Sequence, residues 1–126
     1  MLYAVHVPTG QERWRFEAGG DIAGGPAVAD GVAYVGSNDN NLYAVNVATG
    51  QERWRFETQG DIFSSPAVAG GVVFVGSSDE HLYAVSTETG QELWRFRTTG
   101  DVLSSPWVSE GVVYFGSDDG DLYAVR

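Results

Sequence analysis

Acidic loops are the segments of this sequence whose residue types and spacing come closest to a metal site. They lie at 37–41 (SNDNN), 77–81 (SSDEH) and 117–121 (SDDGD). Calcium takes about six to eight oxygen ligands, and the last loop supplies three carboxylates within four residues. Asp39, Asp79 and Asp119, however, occupy the same position of each loop, where an aspartate accepts hydrogen bonds from its own backbone. We therefore interpret these loops as structural turns and predict no metal site.

The remaining polar candidates are too scattered to predict a catalytic site. Asp21, Asp61 and Asp101 recur at one loop position and could ring an ion entrance, but a polar turn is the interpretation we favour. His6 and His81 differ in repeat position, and neither has a second histidine nearby, as a transition-metal site would require. We predict no catalytic residue, no metal ligand and no bound cofactor.

The chain is built from three copies of one 40-residue unit, at 2–41, 42–81 and 82–121, and 122–126 begins another copy. The first two copies agree at 27 of 40 positions, which is typical of a recently amplified or engineered repeat. Each copy contains two short apolar runs, one run that alternates aromatic and charged residues, and one run of small residues. These runs predict four strands and no helix, so we expect an all-β protein that forms a single segment over 1–126.

Four strands in about 40 residues are typical of a blade of a β-propeller, in which four-stranded antiparallel sheets surround a central channel. The strand of small residues should be innermost, because blades crowd near the axis, and the Trp-bearing strand outermost. From the inside outward, positions A to D are predicted at Pro66–Ala69, Val72–Val75, Leu82–Val85 and Glu92–Arg97. The blades are therefore offset from the sequence repeat and begin near residues 26, 66 and 106.

Two stretches of the middle copy, LYAVNVATGQERWRF and SSPAVAGGVVFVGSSDEHLYAV, have counterparts in the other copies. They resemble the PQQ-type repeat of quinoprotein dehydrogenases and related propellers. The resemblance implies a belt, called the tryptophan docking motif, in which each indole packs across a blade boundary and donates its N–H to a neighbouring carbonyl. The matching residues are Ala4, Thr9, Gly10, Trp14, Ala44, Thr49, Gly50, Trp54, Ala84, Thr89, Gly90 and Trp94.

The family indicated by this resemblance contains enzymes as well as scaffolds, outer-membrane assembly factors and sensors. Its enzymes hold a quinone over a calcium ion with a carboxylate base, and its alcohol dehydrogenases add a ring made by adjacent cysteines. This chain has no cysteine, and its near-identical copies offer no distinct loop for such a site. We predict a non-catalytic scaffold or protein-interaction platform; the alternative is a fragment of a PQQ-dependent dehydrogenase.

One aromatic residue breaks the repeat on the predicted innermost strand. Trp107 stands where the earlier copies have Ala27 and Ala67. It could stack a planar ligand in the channel or fill a gap between blades. Phe63 and Leu103 vary in a loop close by, as the residues of a contact surface would. Phe63, Leu103 and Trp107 together form the candidate ligand face.

Composition narrows the range of partners. Seventeen acidic residues against seven arginines and no lysine give a net charge of −10. A surface of this sign disfavours nucleic acid and anionic membranes, so we expect neither as a partner. No apolar run approaches the length of a transmembrane helix.

Three repeats are fewer than the roughly four to eight blades of known propellers. Either the chain is part of a longer array, or identical copies associate with closed rotational symmetry. Two copies would give six blades and three would give nine, and we favour the six-bladed homodimer. Its junction needs one strand at position C but is offered two, Leu2–Val5 and Leu122–Val125. We expect Leu122–Val125 to be used in this velcro-like closure and Leu2–Val5 to be displaced, because a local closure costs less loop entropy.

Overall fold

The structure, a computed structural model, describes residues 1–126 and consists of thirteen β-strands and no helix. The strands are β1 Leu2–Val5, β2 Glu12–Phe16, β3 Ala27–Ala29, β4 Val32–Gly36, β5 Asn41–Asn46, β6 Glu52–Glu57, β7 Ala67–Ala69, β8 Val72–Gly76, β9 His81–Ser86, β10 Glu92–Arg97, β11 Trp107–Ser109, β12 Val112–Gly116 and β13 Leu122–Val125. The prediction of an all-β fold is confirmed. The chain accordingly has no helix of the length and apolarity needed to cross a membrane.

Successive antiparallel strands form four sheets, which we number along the chain. Sheet 2 has the order β3-β4-β5-β6 and sheet 3 the order β7-β8-β9-β10, so each has the four antiparallel strands of a propeller blade. Sheet 1 contains only β1 and β2, and sheet 4 contains β11, β12 and β13. A complete sheet therefore starts at the strand of small residues, and both ends of the chain carry partial sheets.

The short strands β3, β7 and β11 adjoin one another, and each turns back through a two-residue hairpin. Asp30 and Gly31 form the first hairpin with φ of 50° and 78°, a pair of left-handed conformations that suits the twist of antiparallel strands. Strand β7 begins at Ala67 and not at the predicted Pro66. Proline has no N–H to donate to the ladder, and the Ser65 N–H just before it donates to Ser105 Oγ, in the segment before β11, at 2.9 Å.

The apolar core lies between successive sheets. Tyr34 and Leu42 of sheet 2 pack with Val75 and Tyr83 of sheet 3, and all four are at most 2% exposed. The outer strand β6 alternates, with Trp54 turned toward the core while its charged neighbours are exposed. Each sheet is therefore apolar on both faces except along its outer strand, and a sheet that lacks a neighbour leaves apolar surface uncovered.

Candidate functional site

The contacts between neighbouring sheets centre on one tryptophan from each outer strand. Trp14 Nε1 donates to the Val47 carbonyl at 2.8 Å, and Trp54 Nε1 donates to the Thr87 carbonyl at 3.0 Å. Each indole also covers a glycine: a Cβ added at Gly90 would lie 2.6 Å from the nearest atom of the Trp54 ring. The two boundaries thus use the same arrangement, in which an indole lies on the turn between positions C and D of the next sheet.

The receiving turn has a fixed backbone shape. In sheet 2, the Gly50 N–H donates to the Asn46 carbonyl at 2.7 Å, and Gly50 has φ of 77°. Thr49 Oγ1 accepts the Gln51 N–H at 3.3 Å, which accounts for a threonine before the glycine. Thr89 and Gly90 repeat this geometry in sheet 3. Left-handed φ and close contact with the ring both favour glycine at this place.

Small residues make room for the indole within its own sheet. Ala44 pairs with Trp54 on one side and with Tyr34 on the other, and it is fully buried. The rings of Tyr34 and Trp54 lie 5.8 Å apart above it. Ala84 has the same position between Phe74 and Trp94. The row of an inner aromatic residue, an alanine and a tryptophan therefore forms the face that each sheet turns toward the next one.

The recurring aspartates act as clamps between sheets. Asp39 accepts the Asn41 N–H of its own loop at 3.0 Å, the Gly19 N–H of the preceding segment at 2.9 Å, and the Tyr43 hydroxyl. Partial burial opposes ionisation of Asp39, but these hydrogen bonds outweigh it and lower the pKa of its carboxyl group. Asp79 and Asp119 make equivalent bonds, and the bond to Asp119 is the main cause that raises the pKa of Tyr123 to about 12. The carboxylates at this turn position are occupied by protein donors.

The C-terminal open face (Trp94, Trp107, Tyr114 and Val125) is uncovered in two places. Trp94 and Val125 lie between sheet 3 and sheet 4, which has no strand at position D. Trp107 and Tyr114 lie on the far side of sheet 4, which has no neighbouring sheet within the chain. The Trp94 ring lies 5.8 Å from Phe74, just as the Trp54 ring lies 5.8 Å from Tyr34. The Trp54 indole N–H has a carbonyl acceptor, but the Trp94 indole N–H has none within the chain. Trp94 and Val125 help to line a groove of about 380 Å³. Tyr114 is 39% exposed, whereas the equivalent Tyr34 is 2% exposed. This face carries the donor side of the sheet-to-sheet contact without its acceptor.

The N-terminal open face (Val7, Gly10, Pro26 and Val28) carries the opposite half. Its turn has the receiving geometry, since the Gly10 N–H donates to the His6 carbonyl at 2.7 Å and Gly10 has φ of 72°. Thr9 Oγ1 accepts the Gln11 N–H at 3.3 Å, as Thr49 and Thr89 do in their turns. Val7, the counterpart of Val47, is 92% exposed, and nothing lies within 4 Å of a Cβ added at Gly10. The turn is formed, and no indole covers it.

The three residues of the candidate ligand face do not line a common cavity. Phe63 is 39% exposed in the connection between sheets 2 and 3, and Leu103 is half-buried in the next connection. Trp107 is 73% exposed on β11. None of the three lines any groove of the chain.

The sequence did not indicate the aspartate–tyrosine pairs, although both residues recur in every copy with the same four-residue spacing.

The comparisons with known proteins agree with this architecture. The family described as outer membrane protein assembly factor BamB matches residues 1–126. Among solved structures, BamB of Moraxella catarrhalis superposes with a TM-score of 0.82 at 23% identity, over 91% of this chain and 37% of that one. A quinohemoprotein alcohol dehydrogenase of Pseudomonas putida superposes with a TM-score of 0.76 at 26% identity, over 86% of this chain and 19% of that one. None of the curated protein sequences matches the chain.

The chain thus spans 37% and 19% of the lengths of these two structures. The family match covers every residue, and both structures share the four-stranded antiparallel blades seen in sheets 2 and 3. The resemblance inferred from the sequence is therefore confirmed, and the chain belongs to the BamB family of PQQ-repeat β-propellers.

Proposed function

We propose that this chain is a non-catalytic propeller module that completes its ring with a second copy of itself and serves as a scaffold. One observation carries the proposal. The C-terminal open face presents an indole donor without an acceptor, and the N-terminal open face presents the preformed acceptor turn without an indole. A second copy supplies what each face lacks.

The repeat period identifies the contact that would form. The acceptor residues Val7, Val47 and Thr87 follow one another at intervals of 40 residues, as do Gly10, Gly50 and Gly90. Trp14 uses Val47 and Gly50, and Trp54 uses Thr87 and Gly90. Trp94 of one copy would therefore donate to the Val7 carbonyl of the next copy and lie over Gly10 there. We call this contact between open faces the seam.

Two copies give the most suitable number of blades. Each copy contributes two complete sheets, and each seam makes one more blade from sheet 4 of one copy and β2 of the other. Two copies and two seams give 2 × 2 + 2 = 6 blades, within the usual range of about four to eight. Three copies would give 3 × 2 + 3 = 9, outside that range. A cyclic homodimer follows from head-to-tail contacts that close.

The seam needs one of two LYAV strands, and the contacts favour β13. Tyr123 of β13 donates to Asp119 at 2.6 Å and stacks on Phe115 with ring centroids 5.4 Å apart. Tyr3 of β1 is 53% exposed and has only the Arg15 guanidinium over its ring. In the proposed ring, β13 stays on β12 and accepts β2 of the second copy, while β1 leaves β2.

A glycine substitution with a matched control tests the proposal. Gly10→Ala and Gly71→Ala both place a side chain at positive φ (72° and 79°), and no atom lies within 4 Å of either new Cβ in the single chain. Both variants should lose similar stability, about 1 kcal/mol. Only Gly10→Ala should weaken self-association in sedimentation equilibrium, by about tenfold or more, because its methyl group would meet the indole of Trp94. A wild-type chain that remains a 13.5 kDa monomer at all concentrations, or two variants that associate equally, would overturn the proposal.

The structural similarity to a quinohemoprotein alcohol dehydrogenase supports a second candidate, a segment of a quinone-dependent enzyme. The residues present do not fit a quinone–calcium centre, since no three His, Asp or Glu side chains converge and cysteine is absent. Titration with the quinone and calcium should therefore give neither saturable binding nor dye reduction. Tight binding with dye reduction would favour the enzyme segment.

A further inference from the structure

Trp107 is the one large residue among the three equivalent positions 27, 67 and 107 of the short strands. Its direction follows from the pairing of strands. Ala27 pairs with Tyr34, which belongs to the core between sheets 2 and 3. Residues opposite each other in an antiparallel pair share one face, so Ala27 points toward the following sheet. Trp107 pairs with Tyr114 in the same register and therefore belongs to the C-terminal open face.

The opposing surface of a second copy is made of small residues. Residues one repeat apart meet across two boundaries inside the chain, between sheets 2 and 3 and between sheets 3 and 4: the Gly25 N–H donates to Ser65 Oγ at 2.8 Å, and the Ser65 N–H donates to Ser105 Oγ at 2.9 Å. At the seam, Ser105 would meet Gly25 of the next copy, which has no hydroxyl group. The seam therefore lacks one hydrogen bond that these two boundaries have, and the missing side chain leaves space there.

The residues that flank this glycine are apolar and uncovered. Pro26 is exposed, whereas the equivalent Pro66 is buried. Val28 is 64% exposed, whereas the equivalent Val68 is half-buried against sheet 2. Both differences arise because sheet 1 lacks strands at positions A and B. The result is a shallow apolar strip with a glycine at its centre, and an indole packs well on such a surface.

We infer that Trp107 is a specificity residue of the seam, and that its indole packs over Gly25 between Pro26 and Val28 of the second copy. This inference rests on the proposed ring and goes beyond it by making the seam chemically different from the internal boundaries. A tryptophan at position 27 or 67 would meet a serine in the next sheet, and only the seam offers glycine. The pair of residues thus directs the C-terminal face to the N-terminal face of another copy and to no other repeat boundary.

A double-mutant cycle tests the pair directly. Trp107→Ala restores the alanine of the other two copies and should raise the dissociation constant of the dimer by about tenfold or more, as loss of a buried interface tryptophan does. Gly25→Ser alone should also weaken the dimer, because its side chain occupies the space of the indole. The two changes together should recover affinity, since the Ser105 N–H then regains a hydroxyl acceptor like those of Ser65 and Ser105 inside the chain.

Controls separate this inference from the proposed function. Trp107 is 73% exposed in the single chain, so Trp107→Ala should leave its unfolding midpoint unchanged. Phe63→Ala removes another exposed aromatic residue, at an internal boundary, and should leave the dissociation constant unchanged. A wild-type chain that never associates would refute the ring itself. A dimer that forms equally well with Trp107→Ala, or additive effects of Trp107→Ala and Gly25→Ser, would overturn the role of Trp107 alone.

Discussion

Deleting residues 1–5 removes the strand that the proposed ring does not use, and the shortened chain should therefore associate more tightly than the full chain. In the single chain β1 pairs with β2 in the register Leu2↔Phe16 and Ala4↔Trp14. Since β13 carries the same LYAV sequence, it can pair with β2 of a second copy in that register. The exchange conserves the backbone hydrogen bonds of β2, so they do not decide which strand is bound.

The magnitude follows from the competition between the two strands. Before β2 can accept β13 of the second copy, β1 must leave it. β1 is half-exposed, with Tyr3 and Val5 53% and 51% accessible, and it belongs to a two-stranded sheet. Unpairing such a strand costs on the order of 1–2 kcal/mol, because isolated hairpins are marginal in water. The closed dimer has two seams, so two copies of β1 are displaced, and removing both competitors should lower the dissociation constant by about 30- to 900-fold.

Sedimentation equilibrium of four chains would measure this effect. The chains are the full chain, one without residues 1–5, one without residues 122–126, and one without both segments. The second should be the tightest dimer. The third should still associate, more weakly, because β1 and β2 can enter the seam together. The fourth leaves position C empty and should remain a monomer. Loss of association on deleting residues 1–5 alone would refute the assignment of β13 to the seam.

Two further predictions concern stability. Glu80 adopts φ of 76° at the position where Asn40 has φ of 77°. Asparagine tolerates this left-handed conformation better than glutamate, so Glu80→Asn should raise the free energy of unfolding in urea by about 0.5–1 kcal/mol. An unchanged unfolding midpoint would contradict backbone strain at Glu80. The pKa of Asp39 is lowered in the folded chain. Its carboxylate therefore stabilises the fold fully above its unfolded pKa, and this contribution is lost as the pH falls through the folded pKa. Between about pH 5 and pH 2.5, the thermal unfolding midpoint of the wild type should fall more steeply than that of Asp39→Asn.

The repeat period and the alternation of residues were sufficient to predict the blade. Trp54 and Phe56 alternate with charged residues in the sequence, and in the structure they are half-buried while those neighbours are exposed. The beginning of β7 was placed one residue early, at Pro66, because the pattern of small residues does not show where a missing N–H ends the ladder. Composition and periodicity predict single strands well, because a strand depends mainly on the pattern of its own residues.

Contacts between sheets could not be predicted in the same way. The position of Asp39 suggested a bond to its own loop, which the structure contains, but its bond to the Gly19 N–H joins residues 20 positions apart. The direction of Trp107 likewise depends on the register of β11 against β12, which no single strand specifies. These properties come from the packing of one repeat on the next, and the sequence of one unit alone does not contain them.

Near-identical repeats can pair in the wrong combination, and two residues that differ between repeats, Gly25 and Trp107, reduce this mispairing in the proposed ring. When neighbouring units are nearly identical, each boundary can pair with the edge of any other unit, and copies can exchange strands or extend into open chains. Glycine at 25 and tryptophan at 107 differ from the serine and alanine of the other units at the two places that would meet in a ring. A mismatch at any internal boundary combined with a fit at the seam favours pairing of the two open faces over pairing with an internal unit, which is the effect expected of an interface that discriminates by steric exclusion. Trp107→Ala should therefore weaken the dimer and also increase the proportion of larger, mispaired assemblies at high concentration, because the C-terminal face can then pair with internal units as well. Light scattering of the two chains at equal concentration would measure this shift, and an unchanged size distribution would contradict the role in discrimination.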